Sequence, residues 1–439
     1  MSILKLTPAC KDYLWGGTKL ITDYGKRYDG ARLAETWELS GHPDGPSVLA
    51  SGPDAGKTLA EYLAAHPGAL GEHGRKFAEL PVLIKLIDAA KDLSIQVHPD
   101  DAYARAHEGQ NGKTEMWYVL SAEPDAFLYC GFSRDISQDE LKRRIADNTL
   151  PEVLRRVNVK AGDTVFIPAG TIHAICRGIV VAEVQQSSNV TYRVCDYGRL
   201  GPDGKPRALH IAQALDVTRR TAGVPTPDFG GHLARCDYFT VDLLAAPQAA
   251  PCGAESFLSL LILDGEGEVR CGGETVRAKK GESLFLPAGS GEVRLTGTLF
   301  SLRLLLLPGI GLTDLGQKLH EADGIEVRAD VALLVGLVKR DVVVADLVED
   351  AVGDDGVLRA DQKAHDHAAA HVARHQALPR AVEDLLRHAH AVRSGRQRAK
   401  TGCDLLRPHH SVGRGWRSSS LHRAGRHALL LAVLRCAAL

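Results

Sequence analysis

Apolar and polar side chains alternate through Leu93-Ser94-Ile95-Gln96-Val97-His98, which predicts a strand with one buried and one polar face. Ser94, Gln96 and His98 share the polar face. From about Leu80 to Cys195, short runs rich in β-branched and aromatic residues are separated by turn residues; they include PVLIKLIDA, EMWYVLSA, DAFLYCGF, DTVFIPAG and GIVVAEVQQ. Such spacing predicts a β-sandwich or barrel. Helices are few. KTLAEYLAAH (Lys57 to His66) is one, and SQDELKRRIADNTL is another, opening on a capping box in which Ser137 and Glu140 satisfy each other's backbone donors. A short helix in GKPRALHIAQALDVTRR ends near Thr218 with Leu209, Ala212 and Leu215 on one side, and is expected to pack between two β-domains.

Two domains are expected because the chain repeats itself. VKAGDTVFIPAGTIHAI (Val159 to Ile175) recurs as AKKGESLFLPAGSGEVR (Ala278 to Arg294), both fitting G-x5-P-x-G between apolar strands. FLSLLILDGEGEVRCGGETVRAKKG, just before the second copy, reads as a meander with D-G and G-G turns. In that copy Glu292 falls at the position of His173, and no Q-x-H pair lies upstream, so it reads as structural. Residues 301–439 differ in kind: no Phe, Tyr, Met or Asn, Trp416 as the sole aromatic, and 11 of the 19 histidines. Sixteen Arg against four Lys complete the bias. HDHAAAH (His365 to His371) and HAH (His388 to His390) lie in this Ala/Arg/His-rich sequence without a strand or helix pattern around them, which argues against metal binding there. The segment is expected to be disordered, or an extension read in a shifted frame.

Bulk composition narrows the partners. With 44% hydrophobic and 24% charged residues the 439-residue chain is of ordinary globular type, and a net charge of -1 offers no excess of cations for nucleic acid or an acidic membrane. A small-molecule ligand is expected. No run approaches a membrane span and the N-terminus lacks a continuous apolar segment, so a cytoplasmic location is expected. Nine scattered cysteines with no C-x-x-C pair argue against a structural zinc ribbon or a disulfide framework.

The candidate chemistry lies on the polar faces. Gln96 and His98 sit two apart on one strand, Glu115 enters the next, and the Pro168-x-Gly170 turn presents His173. A carboxylate, two imidazoles and an amide oxygen suit zinc or another divalent first-row metal. Q-x-H, then Glu, then G-x5-P-x-G-x2-H resembles the two motifs of the cupin superfamily, whose small jelly-roll barrels hold a metal at the mouth; Gln96 departs from the usual H-x-H. LIKLIDAAKDLSIQVHPDD, GKTEMWYVL, GDTVFIPAGTIHAI and EVQQSSNVTYRVCDYGR, with YLWGGTKL and AETWELSGHPDG upstream, resemble the short bacterial form of type I mannose-6-phosphate isomerase from about Tyr13 to Leu304. One departure is Cys195, where that family commonly has an aromatic residue.

The resemblance implies a mainly β protein of two cupin barrels with a few helices. Residues 1–79 would pack on a catalytic metal-binding barrel at 80–200, 201–229 would form a helical connection, 230–310 a second, metal-free barrel, and 311–439 the low-complexity tail. It implies one zinc per chain on Gln96, His98, Glu115 and His173, an active-site arginine at Arg193, a glutamate at Glu183 and a lysine at Lys113. The implied activity is interconversion of mannose 6-phosphate and fructose 6-phosphate by proton transfer through an enediol, with Glu183 or Lys113 as the proton carrier and Arg193 or Lys113 as the cation. Arg193 also suits the phosphate of the sugar. A monomer or small homo-oligomer is expected. The competing expectations are a metal-dependent cupin oxygenase and a non-catalytic sugar-binding cupin. The isomerase fused to a nucleotidyltransferase is set aside, because no Gly-rich nucleotide-binding segment precedes the barrel.

Overall fold

The computed structural model describes residues 3–201 and 204–307; the expectation for residues 311–439 lies outside the described residues. Four antiparallel sheets build two sandwiches. In the first, a six-stranded sheet faces a five-stranded one; in the second, a seven-stranded sheet faces a four-stranded one. Strands of the six-stranded sheet use both faces. Along Ile179–Gln186, Val180, Ala182 and Val184 pack into the core shared with the second sandwich, whereas Ile179 and Val181 fill the interior of the first. Glu183 and Gln185 continue that inner face, so the interior turns from apolar to polar along one strand.

The five-stranded sheet is two-sided as well. Ile95, Val97, Ala174, Tyr192 and Val194 point outward and are covered by the helices Gln138–Ala146 and Ile211–Val217. Gln96, His173 and Arg193 alternate with them and therefore face inward. Ile211–Val217 packs through Ala214, Leu215 and Val217 on this sheet; Leu209 and Ala212, expected on the packing face, are exposed. Leu209 precedes the helix, which begins only at Ile211, and Ala212, though inside it, lies off the face that Ile211, Ala214 and Leu215 turn to the sheet. Ser137 does cap its helix, accepting from the Glu140 N–H, but the Glu140 carboxylate turns to Arg134 and Arg144 instead of closing the box. The full box forms at Thr58 and Glu61, at the start of Leu59–Ala65.

Both repeat copies fold alike. Thr164–Ile167 and Ser283–Leu286 are strands of the larger sheet in each sandwich, and His173–Ile175 and Gly291–Leu295 are strands of the smaller one. The P-x-G turn between them carries the chain from sheet to sheet. Gly170 has φ +84°, and a Cβ there would stand 2.9 Å from the Val217 carbonyl oxygen, so glycine is required on both counts. At Glu292, the counterpart of His173, the side chain is exposed and pairs with Arg294. Residues 3–79 join both sandwiches: Leu4–Thr7 pairs with Ser283–Leu286 of the second, and Glu35–Leu39 with Val82–Ala89 of the first. Among the described residues no helix is long and apolar enough to cross a membrane, and the seven cysteines are unpaired.

Candidate metal centre and active site

Three strands and one strand end bring the ligand candidates together. His173 lies opposite Gln96 in register, Gln96 lies opposite Arg193, and Gly170 donates its N–H to the His98 carbonyl at 2.7 Å, tying the P-x-G turn to the histidine that follows Ile95–Val97. Glu115 enters from the facing sheet at the head of Glu115–Ala122. One ligand atom from each of His98, Glu115 and His173 falls within 4.8 Å of the others, and all three residues are buried. Nε2 of His173 is 3.2 Å from Glu115 Oε1, and Nε2 of His98 is 3.6 Å from Oε2.

The hydrogen bonds on the far side of each ring fix its tautomer. Nδ1 of His98 meets the Val190 carbonyl at 2.8 Å and Nδ1 of His173 the Thr171 carbonyl at 2.8 Å, so both carry the proton on Nδ1 and turn an Nε2 lone pair inward. Burial, reinforced by Lys113, holds His98 well below the ordinary imidazole range; burial also pushes His173 down to about 4. Both rings are neutral at pH 7. Burial pushes the Glu115 carboxyl up despite Lys113, whose Nζ is 2.7 Å from Oε2, while Oε1 faces His173 Nε2. Two imidazole lone pairs and a buried carboxylate converging on one point are a donor set that suits a metal cation. The Gln96 amide lies 3.5 Å from His173 Nε2 through its nitrogen, while its oxygen meets Ser94 Oγ at 3.3 Å. A half-turn of that amide exchanges the two atoms.

Beside this cluster runs a chain of buried charges. Lys113 Nζ is 2.7 Å from Glu115 Oε2, 3.0 Å from His98 Nε2 and 3.9 Å from Glu183 Oε1; Lys85 Nζ is 3.2 Å from Glu183 Oε1 and 3.7 Å from Glu35 Oε2. Lys113 is held there because its N–H bonds the Pro99 carbonyl, beside His98. Trp37, Lys85, Glu183 and Trp117 form one row across four neighbouring strands, each opposite the next. The indoles close the row: Trp37 Nε1 donates to Glu35 Oε2 and Trp117 Nε1 to Glu183 Oε2, each at 2.8 Å. Burial raises the Glu183 carboxyl, but Lys113, Lys85 and the Trp117 hydrogen bond outweigh it and hold the group down at about 2. Burial opposes the charge on Lys85, yet Glu35 and Glu183 raise it above the ordinary ammonium range.

All seven site residues expected from sequence lie in or beside this interior. Arg193 is half-buried on the same inward face, near Tyr13, Glu35 and Arg207, and its guanidinium makes no hydrogen bond or ion pair among the described residues. Sequence reasoning missed Lys85, Glu35 and the two indoles. A signal existed for Lys85, since PVLIKLIDA is otherwise an apolar run and a strand buried throughout has no place for a solvated ammonium.

Comparison with known proteins agrees with this architecture. Residues 3–132 match the family model described as phosphomannose isomerase type I, catalytic domain, and residues 231–304 match that of the mannose-6-phosphate isomerase cupin domain. A probable mannose-6-phosphate isomerase of Bacillus subtilis is 39% identical over 307 residues, which span 67% of this chain and 96% of that protein. A mannose-6-phosphate isomerase of Streptococcus mutans is 38% identical over 290 residues, 62% of this chain and 89% of its own length. The crystal structure of a Bacillus subtilis mannose 6-phosphate isomerase aligns with a TM-score of 0.64 at 36% identity, over 69% of this chain and 99% of that one. With nearly the whole length of such relatives matched, and both sandwiches covered, the chain belongs to the type I phosphomannose isomerase family.

Proposed function

We propose that this chain interconverts mannose 6-phosphate and fructose 6-phosphate by moving a proton between C1 and C2 through an enediol, with one zinc ion at the buried cluster. The observation that carries this reading is the junction of a convergent His98, Glu115 and His173 set with the Lys113–Glu183–Lys85 chain in one interior. His98, Glu115 and His173, with Gln96 after its amide turns, would hold the metal; N and O donors without a thiolate suit zinc. When bound, the metal would polarise the sugar oxygens on which enediolate charge develops.

The chain's own residues supply the rest. Glu183 is ionised at pH 7, and its Oε1, in ion-pair contact with Lys85 and Lys113, is the oxygen that accepts the C–H proton. Lys85 and Lys113 keep that carboxylate ionised and set positive charge beside the reacting carbons. Arg193 presents its donors from the half-buried mouth, where a guanidinium fork fits a phosphate. The apolar interior below the row, with Val119, Ile179 and Val181, excludes water from the proton path.

The test is an assay coupled to fructose 6-phosphate formation from mannose 6-phosphate, on the full chain, with metal quantified in the same sample. The expected result is about one zinc per chain, loss of activity on chelation and recovery on adding divalent metal. Full activity in a rigorously metal-free sample would end this reading.

A further inference from the structure

The two oxygens of Glu183 have different neighbours. Oε2 takes the Trp117 indole N–H at 2.8 Å; Oε1 is left in ion-pair contact with Lys85 at 3.2 Å and Lys113 at 3.9 Å. Trp117 stands directly opposite Glu183 in antiparallel register, and its ring is only 1% exposed. It has little freedom to be elsewhere: its edge packs on His173, with ring centroids 5.4 Å apart and planes at 76°. An indole offers one donor and no acceptor, so it can bind Glu183 only through an oxygen lone pair and cannot exchange roles with it.

We propose that Trp117 is a positioning residue for the reaction: its N–H pins Oε2 and thereby fixes the plane of the Glu183 carboxylate, so that Oε1 is the oxygen turned to both lysines and to the substrate. This rests on the role given to Glu183 above. Without the indole N–H, the carboxylate rotates about its last bond, and either oxygen can swing between the lysines and the apolar wall. Orientation lost in this way lowers turnover while leaving the phosphate grip and the metal ligands in place. A tryptophan that merely fills the core would need only a partner for its N–H, and deleting that N–H would alter stability alone.

Two N–H-free replacements separate these cases in the full chain: Trp117→Phe, and the shape-preserving 3-benzothienylalanine placed at 117, which keeps the ring volume if phenylalanine fails to fold. Each is expected to lower kcat about tenfold, the scale of one charge-assisted hydrogen bond, with KM within about twofold and metal content unchanged. In a Glu183→Gln background the same replacements should change kcat no further. Independently of turnover, the Trp117 indole 15N–H resonance of the otherwise unaltered chain should move on Glu183→Gln. Unchanged kcat in both replacements overturns the proposal, as does a fall in kcat that tracks metal loss or persists undiminished in the Glu183→Gln background. Near-normal kcat in Glu183→Gln itself overturns the role of Glu183, and the positioning role with it.

Discussion

Replacing Lys85 with methionine removes a cation from between two buried carboxylates and leaves a side chain of similar length. Lys85 is 5% exposed, 3.2 Å from Glu183 and 3.7 Å from Glu35, and stands 5.1 Å from the centre of the Trp37 ring. Removing one partner of a buried ion pair costs about 3–5 kcal/mol, most of it from the charge left behind. Lys113 still faces Glu183, but at 3.9 Å and shared with Glu115, so it covers only part of the loss. With a urea dependence of about 3 kcal/mol per molar, Lys85→Met should lower the unfolding midpoint by about 1–1.7 M, read by tryptophan fluorescence. The sign of the pH effect follows. Without Lys85 the folded-state Glu183 carboxyl titrates higher than before, so it takes up a proton more readily and the deficit should shrink between pH 7 and pH 5. Lys85→Met/Glu183→Gln should be more stable than Lys85→Met alone, because the nearer of the two stranded charges is gone. A midpoint loss below about 0.3 M at pH 7, or a double variant no more stable than the single, would refute the reasoning.

His98→Ala and His173→Ala should each lose metal and isomerase activity together, measured by metal analysis and the coupled assay. Arg193→Ala should keep its metal and lose about a hundredfold in kcat/KM; near-normal turnover would remove Arg193 from the site. Asp196 is tied by Arg207 at 2.6 Å and by Arg199, and although burial raises its carboxyl, those two guanidinium groups hold it below the ordinary range. Its contribution is complete above the unfolded value of about 4 and is lost as pH falls through the lower folded one. The gap in melting temperature between the parent and Asp196→Asn should therefore be constant from pH 7 to 5 and narrow below about pH 4; a gap that widens in acid would contradict the sign.

Local patterns made part of this molecule legible. The Q-x-H alternation placed Gln96 on a polar face, and the repeated G-x5-P-x-G marked the turn that presents His173, because both signals depend on neighbours in sequence. Glu35, Lys85 and Glu183 become neighbours only through the register of three strands, 50 and 98 residues apart along the chain, and no local pattern encodes that register. The same limit hid the pairing of Leu4–Thr7 with Ser283–Leu286, and with it the way the N-terminal segment joins the two sandwiches. Trp117 lies in the strand-like run EMWYVLSA, but nothing local marks its indole as a donor, since that role is set by what lies across the sheet. The helix Ile211–Val217 was misassigned in its packing face because Leu209 precedes it and its buried side is set by Ile211, Ala214 and Leu215, not by Ala212.

The two-faced strands of the six-stranded sheet constrain how this protein can change. In Glu115–Ala122, Glu115, Trp117 and Val119 face the interior while Met116 and Tyr118 fill the seam against the second sandwich. Substitutions there can be absorbed singly, one face at a time. Inserting or deleting one residue cannot, for it would carry the glutamate and the indole donor into an apolar seam and deliver methionine and tyrosine to the reacting sugar. Length in these strands should therefore be more strictly held over evolutionary time than residue type, and a library of single-residue deletions should find almost no survivors within them.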